Sequence, residues 1–143
     1  GWKSAPPLSP TNAISWLAPA PAIAALPILP QVNDGQHQSL LLVGPQLPNK
    51  NRLIILRLWP SNLEVLDSNT PVWSGNIAYL HVEKDLPLIT YLRTGKDFET
   101  PLELLTKTLL DSEQIQLAQR RRPVADARIK WQGNVLLAWE AAL

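Results

Sequence analysis

Residues 52–82 read RLIILRLWPSNLEVLDSNTPVWSGNIAYLHV, two dense apolar runs on either side of a break rich in Pro, Asn, Asp and Ser. The first run, 53–59, is almost continuously hydrophobic with Arg57 as its one charge, the pattern of a strand covered on both faces. The second, 72–82, alternates more. Trp73, Gly75, Ile77, Tyr79 and His81 fall on one face, and Val72, Ser74, Asn76, Ala78, Leu80 and Val82 on the other. Together they predict a sheet centre, with the rest of the chain packed around it.

Upstream, SLLLV at 39–43 reads as a short buried strand ended by Gly44-Pro45, and a polar turn at 48–51 predicts antiparallel pairing with the central strand. Asn33-Asp34-Gly35 is a turn signal. Seven of the fourteen prolines lie between Pro6 and Pro30, so the lead, 1–36, is expected to run as an extended arm with at most a short helix near 11–17. Trp2, Trp16, Ile23, Leu26, Ile28 and Leu29 would pin it to the core.

Downstream, Glu83-Lys84-Asp85 is a charged turn, and Pro87 places any strand over 86–92 at an edge or at its first residues. Thr100-Pro101-Leu102-Glu103 reads as Thr at the N-cap, Pro at the first helical position and Glu three residues on to complete a capping box. The helix begun there has Leu102, Leu105 and Leu109 on one stripe and Glu103 with Lys107 exposed. It is expected to continue, or restart at Ser112, as far as Arg122 before Pro123 stops it. Runs at 129–131 and 135–139 flank Gln132-Gly133-Asn134 as a hairpin.

The 143 residues, 45% of them hydrophobic, make a single domain over 1–143, an arm at 1–36 and a core at 37–143. A chain of this length buries about 68–70% of its unfolded surface, so a core forms without a disulfide or metal. With no cysteine, thiol catalysis and Cys-based zinc sites are excluded. Methionine is absent even at position 1, which predicts a piece of a longer reading frame. A net charge of +1 does not provide the field of a nucleic-acid binder. The longest apolar stretch, 18–30, is shorter than the ~20 residues of a spanning helix and is broken by three prolines.

Two constellations are candidates for function. His81, Glu83 and Asp85 alternate, so an extended strand would project all three to one face, as a carboxylate and imidazole metal site requires. A solvated strand end is the expected reading, and neither a metal nor another cofactor is called for. Arg120-Arg121-Arg122, with Arg128 and Lys130 shortly after, is the one concentration of charge. At a helix C-terminus such residues favour the macrodipole. Beside a membrane they would contact anionic headgroups, each worth ~1 kcal/mol near the surface. Motifs for a nucleophile elbow, a phosphate-cradling loop or a dinucleotide fold are absent.

Gly1-Trp2 with APPLS behind it, LPILPQVNDG at 26–35, LIILRLW at 53–59, PVWSG at 71–75 and NVLLAW at 134–139 resemble, in order, the LssY C-terminal domain family. The likeness covers most of residues 1–97, and LRLW followed by P-x-W-x-G is its specific portion. It implies a soluble module behind a phosphatidic-acid-phosphatase-type or DedA-type region of a bacterial inner-membrane protein, on the cytoplasmic face in preference to the periplasmic one. Members carry a strand and helix before the Gly-Trp pair at which this chain begins. No residue here matches the signature of that phosphatase class, so catalysis in the full protein would lie in the membrane part.

The expected fold is α+β, a mixed or mainly antiparallel sheet of about five strands with one principal helix from Thr100 on one face and the proline-rich arm. The expected function is that of a non-catalytic accessory or interaction domain. Its partners are its own membrane region and anionic lipid headgroups, without nucleic acid. A hydrolase of phosphorylated lipids and an envelope-binding module are the alternatives.

Overall fold

The computed structural model describes residues 1–6, 8–18, 21–33, 35–45, 47–48, 51–85, 89–110, 115–121 and 134–140. In chain order the elements are strand β1 (Lys3–Ser4), helix α1 (Pro10–Ala13) continued by a 3₁₀ turn (Ile14–Leu17), a second 3₁₀ turn (Ile23–Ala25), then β2 (Val32–Asn33), β3 (Gln36–His37) and β4 (Leu40–Val43). The long strands β5 (Arg52–Glu64) and β6 (Pro71–Asp85) follow, then β7 (Ile89–Thr94), α2 (Glu99–Leu110), β8 (Ile115–Arg121) and β9 (Asn134–Glu140). The fold is mostly antiparallel sheet with two short helices.

Seven of these strands form one sheet in the order β1-β4-β5-β6-β9-β8, with β7 also on β6; β2 and β3 pair separately. The expected centre is the observed one, since β5 and β6 pair antiparallel from Arg52↔His81 to Pro60↔Trp73. Both run further than the apolar pattern. The register shifts between Pro60 and Glu64, where proline without an N–H is tolerated beside a bulge. The turn closes through Val65 N–H to the Thr70 carbonyl at 3.0 Å, with Asn69 at φ 52°, a conformation that asparagine accepts more readily than most residues. The expected pairing of 39–43 with the central strand is also observed, Leu42 facing Leu56.

Alternation on β5 and β6 splits the core into two layers. On one face Ile54, Leu56 and Ile77 meet Leu102 and Leu105 of α2, with Trp2, Tyr79 and Leu109 packed alongside. On the other, Ile55, Ala78 and Leu80 meet Ile28, with Ala5 and Phe98 alongside. A strand covered on both faces has to be apolar at every position, which explains the unbroken run at 53–56. Helix α2 starts earlier than its Thr-Pro-Leu-Glu signal, because the Asp97 carboxylate accepts the Glu99 and Thr100 N–H groups, both at 3.1 Å. Pro101 then lies in the first turn, where no N–H is needed.

The expectation of helix as far as residue 122 is overturned. Residues Ile115–Arg121 are a strand, paired with β9 from Ile115↔Glu140 to Arg121↔Asn134. Local helix preference in IQLAQRR is weak compared with a partner strand that supplies a full ladder. The sheet is consequently larger than five strands. Residues 112, 122–123 and 129–133, to which other expectations attached, lie outside the described residues.

Candidate functional site

Pairing of β6 with β7 decides what His81, Glu83 and Asp85 do. Register puts Arg93 opposite His81, Tyr91 opposite Glu83 and Ile89 opposite Asp85. Glu83 takes Arg93 Nη1 at 2.8 and 3.0 Å and the Tyr91 hydroxyl at 3.2 Å; the same hydroxyl lies 3.5 Å from Asp85. Hydrogen bonding from Arg93 holds the Glu83 carboxyl below the usual carboxylate range, while partial burial followed by the Asp85 and Glu83 charges pushes the Tyr91 phenol up. His81 stands in register between Arg52 and Arg93, a cationic setting that disfavours a metal ion. Among the described residues no cluster of His, Cys, Asp and Glu is placed to hold one. The three residues are brought to one end of the sheet, where Glu83 pairs with Arg93 and the Tyr91 hydroxyl links Glu83 to Asp85.

Arg120 and Arg121 end β8, the last strand in the sheet order, opposite Val135 and Asn134 of β9. The macrodipole account of these arginines therefore falls, since a strand end has no comparable dipole. Arg122, Arg128 and Lys130 lie outside the described residues.

Arg57, the one charge of the run 53–59, has a setting that its sequence position does not show. It sits in the middle of β5, 2% exposed, opposite Asn76 on one side and Leu41 on the other. One nitrogen, Nη2, donates to the Leu29 carbonyl at 3.3 Å. Nε and Nη1 are buried without a hydrogen-bond partner among the described residues. Burial pulls the guanidinium down to about 10, so it remains a cation at neutral pH. An uncompensated buried charge costs several kcal/mol, which makes this position unlike the other described positions of the sheet. The available signal was a single arginine inside a continuous apolar strand.

The segment carrying Leu29 also walls a cleft of about 270 Å³ between the lead and β4. Ile28 and Pro30 form one side, Ser4 to Pro6 another, and Leu41 lines it from β4. Its rim includes Ser39, whose N–H bonds the Leu58 carbonyl next to Arg57. Gln38 fixes the same rim to Gln31 through its backbone N–H and its side-chain oxygen, at 3.2 and 3.1 Å.

Comparison of the chain with protein-family models, curated proteins and solved structures finds no match.

Proposed function

We propose that this chain is a non-catalytic interaction domain of a bacterial inner-membrane protein, held beside the bilayer by its own membrane region and regulating it or binding a partner there. The observation that carries the reading is that Arg120 and Arg121 are consecutive residues at the end of the last strand in the sheet order. The resemblance to the LssY C-terminal domain motivates the tether. We also read the architecture as α+β, with α2 the principal helix on one sheet face and 1–36 a proline-rich arm.

Among the described residues, the acidic groups best placed for hydrolysis, Glu83 and Asp85, are occupied by Arg93 and Tyr91. That engagement favours a binding role over hydrolysis of a phosphorylated lipid. No helix among the described residues is long and apolar enough to cross a membrane.

Vesicle co-sedimentation tests the reading. Screening over ~8 Å at physiological salt confines such attraction to a tethered domain, so the free chain should bind anionic vesicles weakly, more at low salt, and neutral vesicles hardly at all. R120Q/R121Q/R122Q should lose that binding while unfolding at an unchanged denaturant midpoint. Binding indifferent to lipid charge and to these arginines would sink the proposal.

A further inference from the structure

We propose that Arg57 and the adjoining cleft form one binding site for a small monocarboxylic acid with an apolar body, the carboxylate engaging the guanidinium behind the Leu29 segment. The inference is independent of the membrane reading and stands on three features.

First, the three N–H bonds on Nε and Nη1 are desolvated and unanswered among the described residues, and the sheet face around them offers no described acidic group. Across β5 the in-register neighbours on the same face are Leu41 and Asn76, and along it Ile55 and Trp59. Buried polar groups in native proteins find partners in the great majority of cases, and a buried cation finds an anion. A guanidinium presents a planar fork of donors that matches a carboxylate.

Second, the cleft is next to it. Among the described residues Arg57 donates to the carbonyl of Leu29, and the residues on either side of Leu29, Ile28 and Pro30, are cleft wall. Leu41, the cross-strand neighbour of Arg57, is cleft lining as well. A carboxylate that displaced the 3.3 Å bond to Leu29 would enter from that side, and the body of its molecule would remain in the cleft.

Third, the lining sets the chemistry of that body. Ala5, Pro6, Leu8, Ile28 and Leu41 present carbon, with Ser39 and Gln38 as polar groups at the rim. About 270 Å³ lies just below the usual range for ligand sites, which suits a molecule such as an aromatic or short branched acid and not a lipid or nucleotide.

The test uses benzoate as probe and benzamide, its neutral isostere, as control. Thermal unfolding of the whole chain should rise with millimolar benzoate and not with benzamide, and calorimetric affinity should fall about tenfold or more in Arg57→Met, the loss expected for a charge-assisted hydrogen bond. Arg57→Met should unfold at a higher temperature than the parent when no anion is added, because it removes an unpaired buried charge. In the unchanged protein the Arg57 Nε–H resonance should move on adding benzoate, a readout that does not depend on the variant folding. A parent whose unfolding temperature is indifferent to benzoate would overturn the proposal. Equal shifts with benzamide, or an undiminished response in Arg57→Met, would overturn it as well.

Discussion

Gly44 lies directly against Ile54: a β-carbon built on Gly44 would overlap Ile54 Cγ2, and it would stand 3.1 Å from the Trp2 ring. The backbone is drawn that close by the Gly44 N–H, which bonds the Ile54 carbonyl at 2.8 Å. Glycine is needed here for space at the point where the lead is clamped onto the sheet. Gly44→Ala should therefore destabilise the fold by about 1–3 kcal/mol, the usual cost of overpacking, and shift Trp emission to the red as Trp2 is pushed outward. Ile54→Leu removes the Cγ2 methyl, so the double variant should unfold at a higher urea concentration than the sum of the single effects allows. Additive effects would show that the two residues are not in contact.

The buried stripe of α2 can be tested against its exposed neighbour. Leu105 is 1% exposed among Ile54, Leu56 and Ile77, whereas Leu104 is 36% exposed. Leu105→Ala should cost about 2–5 kcal/mol, depending on how far the cavity collapses. Leu104→Ala should stay within about 0.5 kcal/mol. Chemical denaturation of both variants gives the comparison, and similar losses would mean that the helix does not present this stripe to the sheet.

The sheet centre was legible because period-two patterning survives in 72–82 and because a run such as 53–59 fits a strand buried on both faces. Strand β8 was not legible. IQLAQRR carries helix formers and too short an alternation, and its strand character comes from β9, a partner fixed only by tertiary structure. The Thr-Pro-Leu-Glu signal marks the helix but not its first cap, since Asp97, three residues upstream of Thr100, accepts the Glu99 and Thr100 N–H groups and starts the helix before that signal. The candidate site was less accessible still. In sequence Glu83 and Asp85 look like a solvated strand end because their partners depend on the β6–β7 register, and Arg57 becomes unusual only once the 28–30 segment is known to cover it.

The Asp97 cap makes an acid-range prediction with a definite sign. Hydrogen bonds from the Thr100 side chain and backbone hold its carboxyl below the ordinary value near 3.8. A folded-state value below the unfolded one contributes stability that is fully present above the unfolded value and is lost as pH falls through the folded one. Asp97→Ala should thus cost about 0.5–2 kcal/mol at neutral pH, the range for a lost N-cap. Urea unfolding of parent and variant should show this gap closing below the ordinary carboxylate value. A gap that stays constant down to the lowest pH would mean that the carboxylate does not act as the cap.

Tyr91 reports on the Glu83 network spectroscopically. The chain has two tyrosines, so tyrosinate absorbance against pH can be split by comparing the parent with Tyr91→Phe. Partial burial is the largest influence raising the Tyr91 phenol, followed by the Asp85 charge and then Glu83, which acts through its charge and by accepting the hydroxyl. Arg93 opposes them more weakly, because its guanidinium is engaged by Glu83. Glu83→Gln removes a negative neighbour and releases Arg93, and both changes favour the phenolate. The Tyr91 midpoint should move down towards the ordinary tyrosine value without reaching it, since burial and Asp85 remain. Asp85→Asn should move it in the same direction, and Arg93→Gln in the opposite one. A midpoint unmoved by Glu83→Gln would show that the hydroxyl is not bonded to that carboxylate, and the cross-strand network would have to be redrawn around Asp85.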